Sequence, residues 1–410
     1  MTHAAKRLRV LLGDLPVGRL TLDEAARCEF HLLASYRHGH PRPVLGQGFE
    51  DEPDARRRAL SRLPAWFSNL LPEGALRELV ARQAGVDPAR EFRLLEHLGD
   101  DLPGAVRIER DDAPPAQEHI EFAAHQDEVT ADTHGDPAWH FSLAGVQLKF
   151  SGLRSDRGMT IPVSGRGGDW ILKLPDLRHP GVPVNEHATM RWAAASGITI
   201  PEIGLMDLDR ISGLPTTGIP RQETQAFVIR RFDRPAPGQR IHMEDFTQIL
   251  GLYPEQKYDQ FNYETIARLT LVLTGRAGLE ELIRRYVFML ASGNGDAHHK
   301  NWTLVYPDGV HAALSPAYDL VSTIQYMPQD RLALNLGRSR QWEAMTLDTF
   351  RRLARKIDFD EAQLVAWTRE AVATTHAAWA ASAGDFGYDL VARQRLEQHM
   401  RRVPLLSIPV

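Results

Sequence analysis

The chain has 410 residues, 43% of them apolar and 25% charged, with a formal charge of −5 and a single cysteine, Cys28. That length suits two or three domains rather than one core. The mild negative charge excludes the global basic field of a dedicated nucleic-acid binder, and one cysteine excludes an intramolecular disulfide or a Cys-based zinc site, which fits a reducing, cytoplasmic setting. The N-terminus "MTHAAKRLRVLLGD" has no apolar run long enough for a signal peptide and no segment approaches a membrane span, so neither export nor insertion is expected.

Residues 1–110 open with strand-like alternation in "RLRVLLGDLPVGRLTLD". Further on, "LLPEGALRELVARQAGV" predicts a helix opened by Pro72 and closed by Gly85, with Leu76, Leu79 and Val80 on one face. The basic stretch "DARRRALSR" (54–62) reads as a solvated helix face. Residues 111–138, acidic and without sustained periodicity, read as a surface linker. Between 139 and 235, short apolar runs such as "WILKLP" and "QAFVIRRF" bounded by Gly and Pro predict a sheet with one inserted helix. From 236 to 410 the pattern is helical: apolar stripes at 264–273 and 279–290 predict core helices, and "RQRLEQHMRR" (393–402) gives a second solvated basic face. The expectation is an α+β, bilobal, kinase-like order: a β-rich N-lobe, an all-helical C-lobe, and an additional N-terminal α/β subdomain in front.

The densest polar chemistry is "ASGNGDAHHKNWTLVY" (291–306), which directly follows an apolar helical run. It can be a metal site through His298 and His299, a solvated helix end, or a catalytic loop. Adjacent histidines on a helix or strand point apart, so a zinc site would need helpers such as His311 or His242. A kinase loop needs an Asp to accept the substrate hydroxyl's proton and an Asn five residues later for Mg²⁺, the spacing of Asp296 and Asn301. Alternation on both sides of Pro-Asp-Gly after Asn301 predicts a hairpin, and "SPAYDLVST" beyond it offers Asp319 as a second metal carboxylate. Upstream, Lys173 stands in an apolar strand, where a charge needs a partner. Asn185 predicts the N-cap of a helix running to Gly197, with Glu186 in its first turn as that partner. Each residue also has a plainer reading: Lys173 at a strand end in water, Glu186 complementing a helix dipole. Metal-assisted hydrolysis by Asp296 and Asp319 is a further option.

In order, "FSLAGVQLKF", "WILKLP", "NEHATMRWAAASGI", "FVIRRFDR", "HMEDFTQILG", "GNGDAHHKN" and "SPAYDLVST" resemble the HipA family of toxin kinases, and "LPAWFSNLLPEGALRELVARQAGV" with "FRLLEHLGDDLPGAV" resembles its N-terminal subdomain. The resemblance implies a Ser/Thr protein kinase using ATP and Mg²⁺. Its protein substrate would be a translation component such as an aminoacyl-tRNA synthetase. Its partner would be a helix-turn-helix, HipB-like antitoxin through which operator DNA is met, with no membrane contact. Carried over by position, Asp296 is the catalytic base, Asn301 and Asp319 hold the metal, Lys173 holds phosphates and Glu186 orients it. Ala144, Gly145, Val146, Gln147 and Lys149 cover the phosphates; Arg230, Arg231 and Phe232 form the hinge to adenine; His298, Lys300 and Asn301 flank the nucleotide; Ser142 matches an autophosphorylated serine acting as an off-switch. Three departures stand out: Arg230 where the family is expected to carry an acid, a phosphate loop with one glycine, and Gly295 rather than Arg before Asp296. The competing class is a catalytically silent, kinase-shaped module serving as corepressor with the antitoxin.

Overall fold

In the computed structural model, which describes residues 6–99, 101–112, 149–155, 158–161, 167–214, 219–220 and 222–408, the alternation at the start of the chain becomes an antiparallel hairpin. Its strands are β1 (Lys6–Leu12) and β2 (Leu15–Leu22), whose Leu8, Val10, Val17 and Leu20 are all buried. With β3 (Arg27–Leu32), β4 (Arg57–Leu60) and β5 (Val106–Arg110) they make a sheet of order β4-β3-β2-β1-β5. The basic stretch expected on a helix face supplies β4 instead: pairing with β3 at the sheet edge overrides the local pattern, and the edge arginines remain half-exposed. Against Phe30 of this sheet pack Phe49, Trp66 and Phe67, with ring centroids in the cluster 4.6–6.3 Å apart. The expected helix spans Gly74–Ala84 and ends in a left-handed Gly85; it begins after Pro72, at Gly74. The linker expected at 111–138 lies outside the described residues except for Asp111 and Asp112.

The second sheet contains β6 (Lys149–Ser155), β7 (Gly158–Thr160), β8 (Trp170–Lys173), β9 (Ile203–Asp207), β10 (Ile211–Ser212) and β11 (Gln225–Arg230), in the order β10-β7-β6-β8-β11-β9. One helix, Val182–Ala195, is inserted between β8 and β9. It starts a turn earlier than expected, after Gly181, because Pro183 is preset for the first turn of a helix. Asn185 is therefore not the N-cap. Its amide donates to Ser322 O at 3.0 Å and accepts from Ser322 N at 3.1 Å. Trp192, fully buried against Phe288 and Trp379, ties this helix to the C-terminal half; truncating such a side chain to Ala costs about 3–5 kcal/mol.

The C-terminal half is built on a helix over Tyr263–Ser292, capped by Asn262 and broken at Gly275, where φ is 71° and ψ is −164°. The helices Leu347–Lys356, Glu361–Ser382 and Leu390–Arg402 close the same core. The all-helical expectation is corrected by a three-stranded sheet of β12 (His242–Asp245), β13 (Thr303–Tyr306) and β14 (Ala313–Leu314), order β12-β13-β14, whose last two strands are the expected hairpin. Among the described residues no helix is long and apolar enough to cross a membrane.

The N-terminal subdomain is bolted to the C-terminal half at Glu244. This fully buried carboxylate accepts from the Gln47 backbone N–H at 2.9 Å, from the Tyr306 hydroxyl at 2.5 Å and from the Trp66 indole at 3.2 Å. Burial pushes the Glu244 carboxyl up to about 7, against those hydrogen bonds, which favour its charged form. A carboxyl that binds its proton more tightly folded than unfolded contributes stability below its unfolded value of 4.5 that is lost as pH rises through about 7. Chemical melts should therefore show wild type losing about 3 kcal/mol more than Glu244→Gln between pH 5 and pH 8. Equal pH dependence in the two proteins would refute the assignment.

Candidate active site

Strand β8 presents Lys173 to the interior, 4% exposed, and the antiparallel register places Lys149 of β6 directly opposite it. Two like charges across a ladder repel unless an anion lies between them. Asp319 is that anion: it accepts from Lys149 Nζ at 3.2 and 3.4 Å and pairs closely with Lys173. Glu186, fully buried on the inserted helix, pairs with Lys173 from the other side. Burial opposes the charge on Asp319, but Lys149 and Lys173 outweigh it and hold the carboxyl far below the usual range. Burial likewise opposes the Lys173 charge, yet Asp319 and Glu186 bring it up to about 12. For Glu186 burial prevails over Lys173, and its carboxyl is raised. Asp319 has a positive φ of 55°.

Beside the Asp319 segment runs the loop after the 263–292 helix. The loop is wound onto itself: Asp296 N donates to Asn294 Oδ1 at 3.0 Å, His298 N to Asp296 O at 2.8 Å, Asn301 N to His298 O at 2.9 Å, and Asn301 Nδ2 to Asp296 O at 3.0 Å. A Cβ on Gly295 would lie 2.1 Å from Asp330 Oδ2 and 2.6 Å from Arg331 O, so no arginine fits before Asp296. The phenol of Tyr258 donates to Asp296 Oδ1. Tyr318 binds the loop to the Asp319 segment, its hydroxyl donating to Lys300 O at 2.8 Å. Tyr318 thus ties the segment of Asp319 to the loop of Asn301, and the hard oxygens of the two residues match the donor set Mg²⁺ prefers. The carboxylate is kept ionised, and the Asn301 amide, donating through Nδ2, retains its carbonyl oxygen for a cation.

His298 is 2% exposed, edge-on to Tyr258 at 5.0 Å, with both ring nitrogens lacking a hydrogen-bond partner; burial, then Lys257, holds it neutral. His299 turns elsewhere and donates through Nδ1 to Lys257 O at 2.7 Å. Among the described residues no group of three or more His, Cys, Asp or Glu is placed to hold a metal ion. The Lys300 ammonium meets Glu73 Oε1 at 3.0 Å and Asn69 Oδ1 and O at 3.1 and 3.3 Å, all in the N-terminal subdomain.

In the stretch expected as the hinge, Arg230 N donates to Glu202 O and Arg231 N to Asp169 O, both at 2.8 Å, so these two amides are engaged within the protein. The Arg231 guanidinium is buried between Asp233, at 2.8 and 3.0 Å, and Asp101, at 3.2 Å. Arg230 stands partly exposed beside Glu202 at 3.8 Å, and the Phe232 ring lies tilted against Tyr318, centroids 5.7 Å apart. Ser142, Ala144, Gly145, Val146 and Gln147 lie outside the described residues. Sequence reasoning missed Tyr258, Lys257, Asn69 and Glu73; Asn69 and Glu73 lie in a stretch read only for its helix and its resemblance, and only the fold carries all four to the loop.

The family described as HipA-like C-terminal domain matches residues 141–379, and the HipA N-terminal domain matches residues 8–109. Y4dM of Sinorhizobium fredii is 42% identical over 409 residues, spanning 97% of either chain. The serine/threonine-protein kinase toxin HipA of Shewanella oneidensis is 24% identical over 356 residues, covering 78% of this chain and 76% of the relative. A solved structure of Shewanella oneidensis HipA with HipB and its operator DNA superposes with a TM-score of 0.70 at 20% identity, over 97% of this chain and 95% of that one. With its α+β, kinase-like fold and both family domains in order, the chain belongs to the HipA family.

Proposed function

We propose that the chain is an ATP- and Mg²⁺-dependent serine/threonine protein kinase acting as the toxin of a toxin–antitoxin pair. The observation that carries this reading is the Lys149–Asp319–Lys173–Glu186 cluster facing the loop that holds Asp296 and Asn301. A buried lysine held between two carboxylates costs stability in a merely structural module and suits a phosphate site. In the reaction, Lys173, oriented by Glu186, exchanges Asp319 for phosphate oxygens, and Lys149 approaches them from the next strand. Asp296, held by Tyr258, accepts the proton of the substrate hydroxyl. Asn301 and Asp319 would hold Mg²⁺, which when bound neutralises charge on the transferring phosphoryl group. Neutral His298, its ring nitrogens free of protein partners, is available to hydrogen-bond the nucleotide in this reading.

The partner in this reading is a helix-turn-helix antitoxin, through which operator DNA is met, and the protein substrate is a component of translation. Ser142 serves as an autophosphorylated off-switch: a phosphate adds about −1.5 to −2 charges at pH 7, which repel the triphosphate. The test incubates purified protein with γ-labelled ATP, Mg²⁺ and cell lysate, beside Asp296→Ala. Label on discrete lysate proteins, and one phosphate on Ser142 with loss of ATP affinity, are expected for wild type alone. ATP hydrolysis without a phosphoprotein product would overturn the kinase reading, and a Ser142-modified form binding ATP as tightly as before would overturn the off-switch.

A further inference from the structure

The N-terminal subdomain reaches the catalytic loop through Glu73 and Asn69, and of the two only Glu73 brings a charge. Glu73, immediately before the Gly74–Ala84 helix, accepts from Lys300 Nζ at 3.0 Å through one carboxylate oxygen and from Lys257 Nζ at 2.7 Å through the other. Lys300 lies between Asp296 and Asn301. Its remaining ammonium contacts within 3.5 Å go to the carbonyl and side-chain oxygens of Asn69, a residue itself fixed by Thr247 at 2.9 Å and Leu252 O at 2.7 Å. Lys257 grips the same loop by its backbone, where its carbonyl accepts from His299 N and Nδ1, and the next residue, Tyr258, holds Asp296.

Resting on the kinase reading above, we propose that Glu73 is a positioning residue of the phosphotransfer site, by which the N-terminal subdomain clamps the loop carrying Asp296 and Asn301. It touches neither reacting atoms nor nucleotide and acts through Lys300 and Lys257. Burial opposes its charge, but Lys300 and Lys257 bring its carboxyl down to about 2, so the clamp stays closed throughout the physiological range. A group displaced by about 1 Å in a phosphotransfer site can lower the rate about a hundredfold without any direct contact being lost.

The experiment compares wild type with Glu73→Gln, which keeps the shape and removes the charge. Two readings are taken: steady-state kinetics, and hydrogen exchange of the amides in 296–301 without nucleotide. Faster loop exchange, a roughly tenfold or greater fall in kcat, an almost unchanged KM for ATP and partial recovery in Glu73→Asp are expected. In a Lys300→Gln background the Glu73→Gln change should add little, because one pathway is already broken. Unchanged loop exchange, or wild-type kcat in Glu73→Gln, overturns the clamp. If wild type transfers no phosphate, the kinase reading falls, and loop exchange alone then decides whether Glu73 holds the loop. Should Glu73→Gln fail to fold, Lys300→Gln removes the same contact from the other side and is read by the same two measurements.

Discussion

Lys173→Met should abolish phosphate transfer and lower stability by about 3 kcal/mol at pH 7, while adding Glu186→Gln should return the stability and leave activity lost. The stability loss follows from Glu186, which is fully buried and whose Oε2 lacks a hydrogen-bond partner. Without the ammonium it escapes an uncompensated buried charge only by taking up a proton. A carboxyl with an ordinary value of 4.5 takes up a proton at pH 7 at a cost of about 3 kcal/mol. That cost shrinks as pH falls towards 4.5, because the unfolded chain then binds the proton as well. Urea melts of the single and double variants at pH 5 and pH 7.5 check the sign. A Lys173→Met protein equally destabilised at both pH values would show that lost packing, not the orphaned carboxyl, is responsible.

Asp296→Asn is expected to keep the fold and lose about 10²–10⁴-fold in kcat, the range for removing a general base. The amide keeps an oxygen for the Tyr258 phenol, and the loop is otherwise closed by backbone bonds that the change does not touch. Growth arrest on expression should vanish with the activity. Single-turnover transfer at saturating Mg·ATP is the measurement, and a rate near that of wild type would remove Asp296 from its assigned role.

The parts of this site that could be read from sequence are those whose chemistry is costly alone. A lysine in an apolar strand demands a carboxylate, and Lys173 meets both Glu186 and Asp319. Asp296 and Asn301 could be paired by spacing because five residues of wound loop bring the Asn301 side chain back to Asp296 O. Asn185 misled because a good capping residue is also a good buried tether, and only Pro183, two residues earlier, fixed where the helix begins. The stretch 54–62 misled because strand β4 is specified by its partner β3 rather than by its own periodicity. The Lys300 contacts to Glu73 and Asn69 could not have been placed: both partners are more than two hundred positions away in sequence, on a different subdomain.

The backbone at Asp319 bears on how the metal-binding role should be probed. At φ 55° the residue occupies the left-handed region, which Asn and Asp tolerate and most other side chains enter at a cost of about 1–2 kcal/mol. An alanine there changes two things at once, removing the carboxylate and straining the turn that delivers it. Asparagine removes only the charge, and glycine relieves the turn while removing the whole side chain. Comparing the three separates a chain that has lost its ligand from one that has lost the bend presenting it, a distinction an alanine scan would blur.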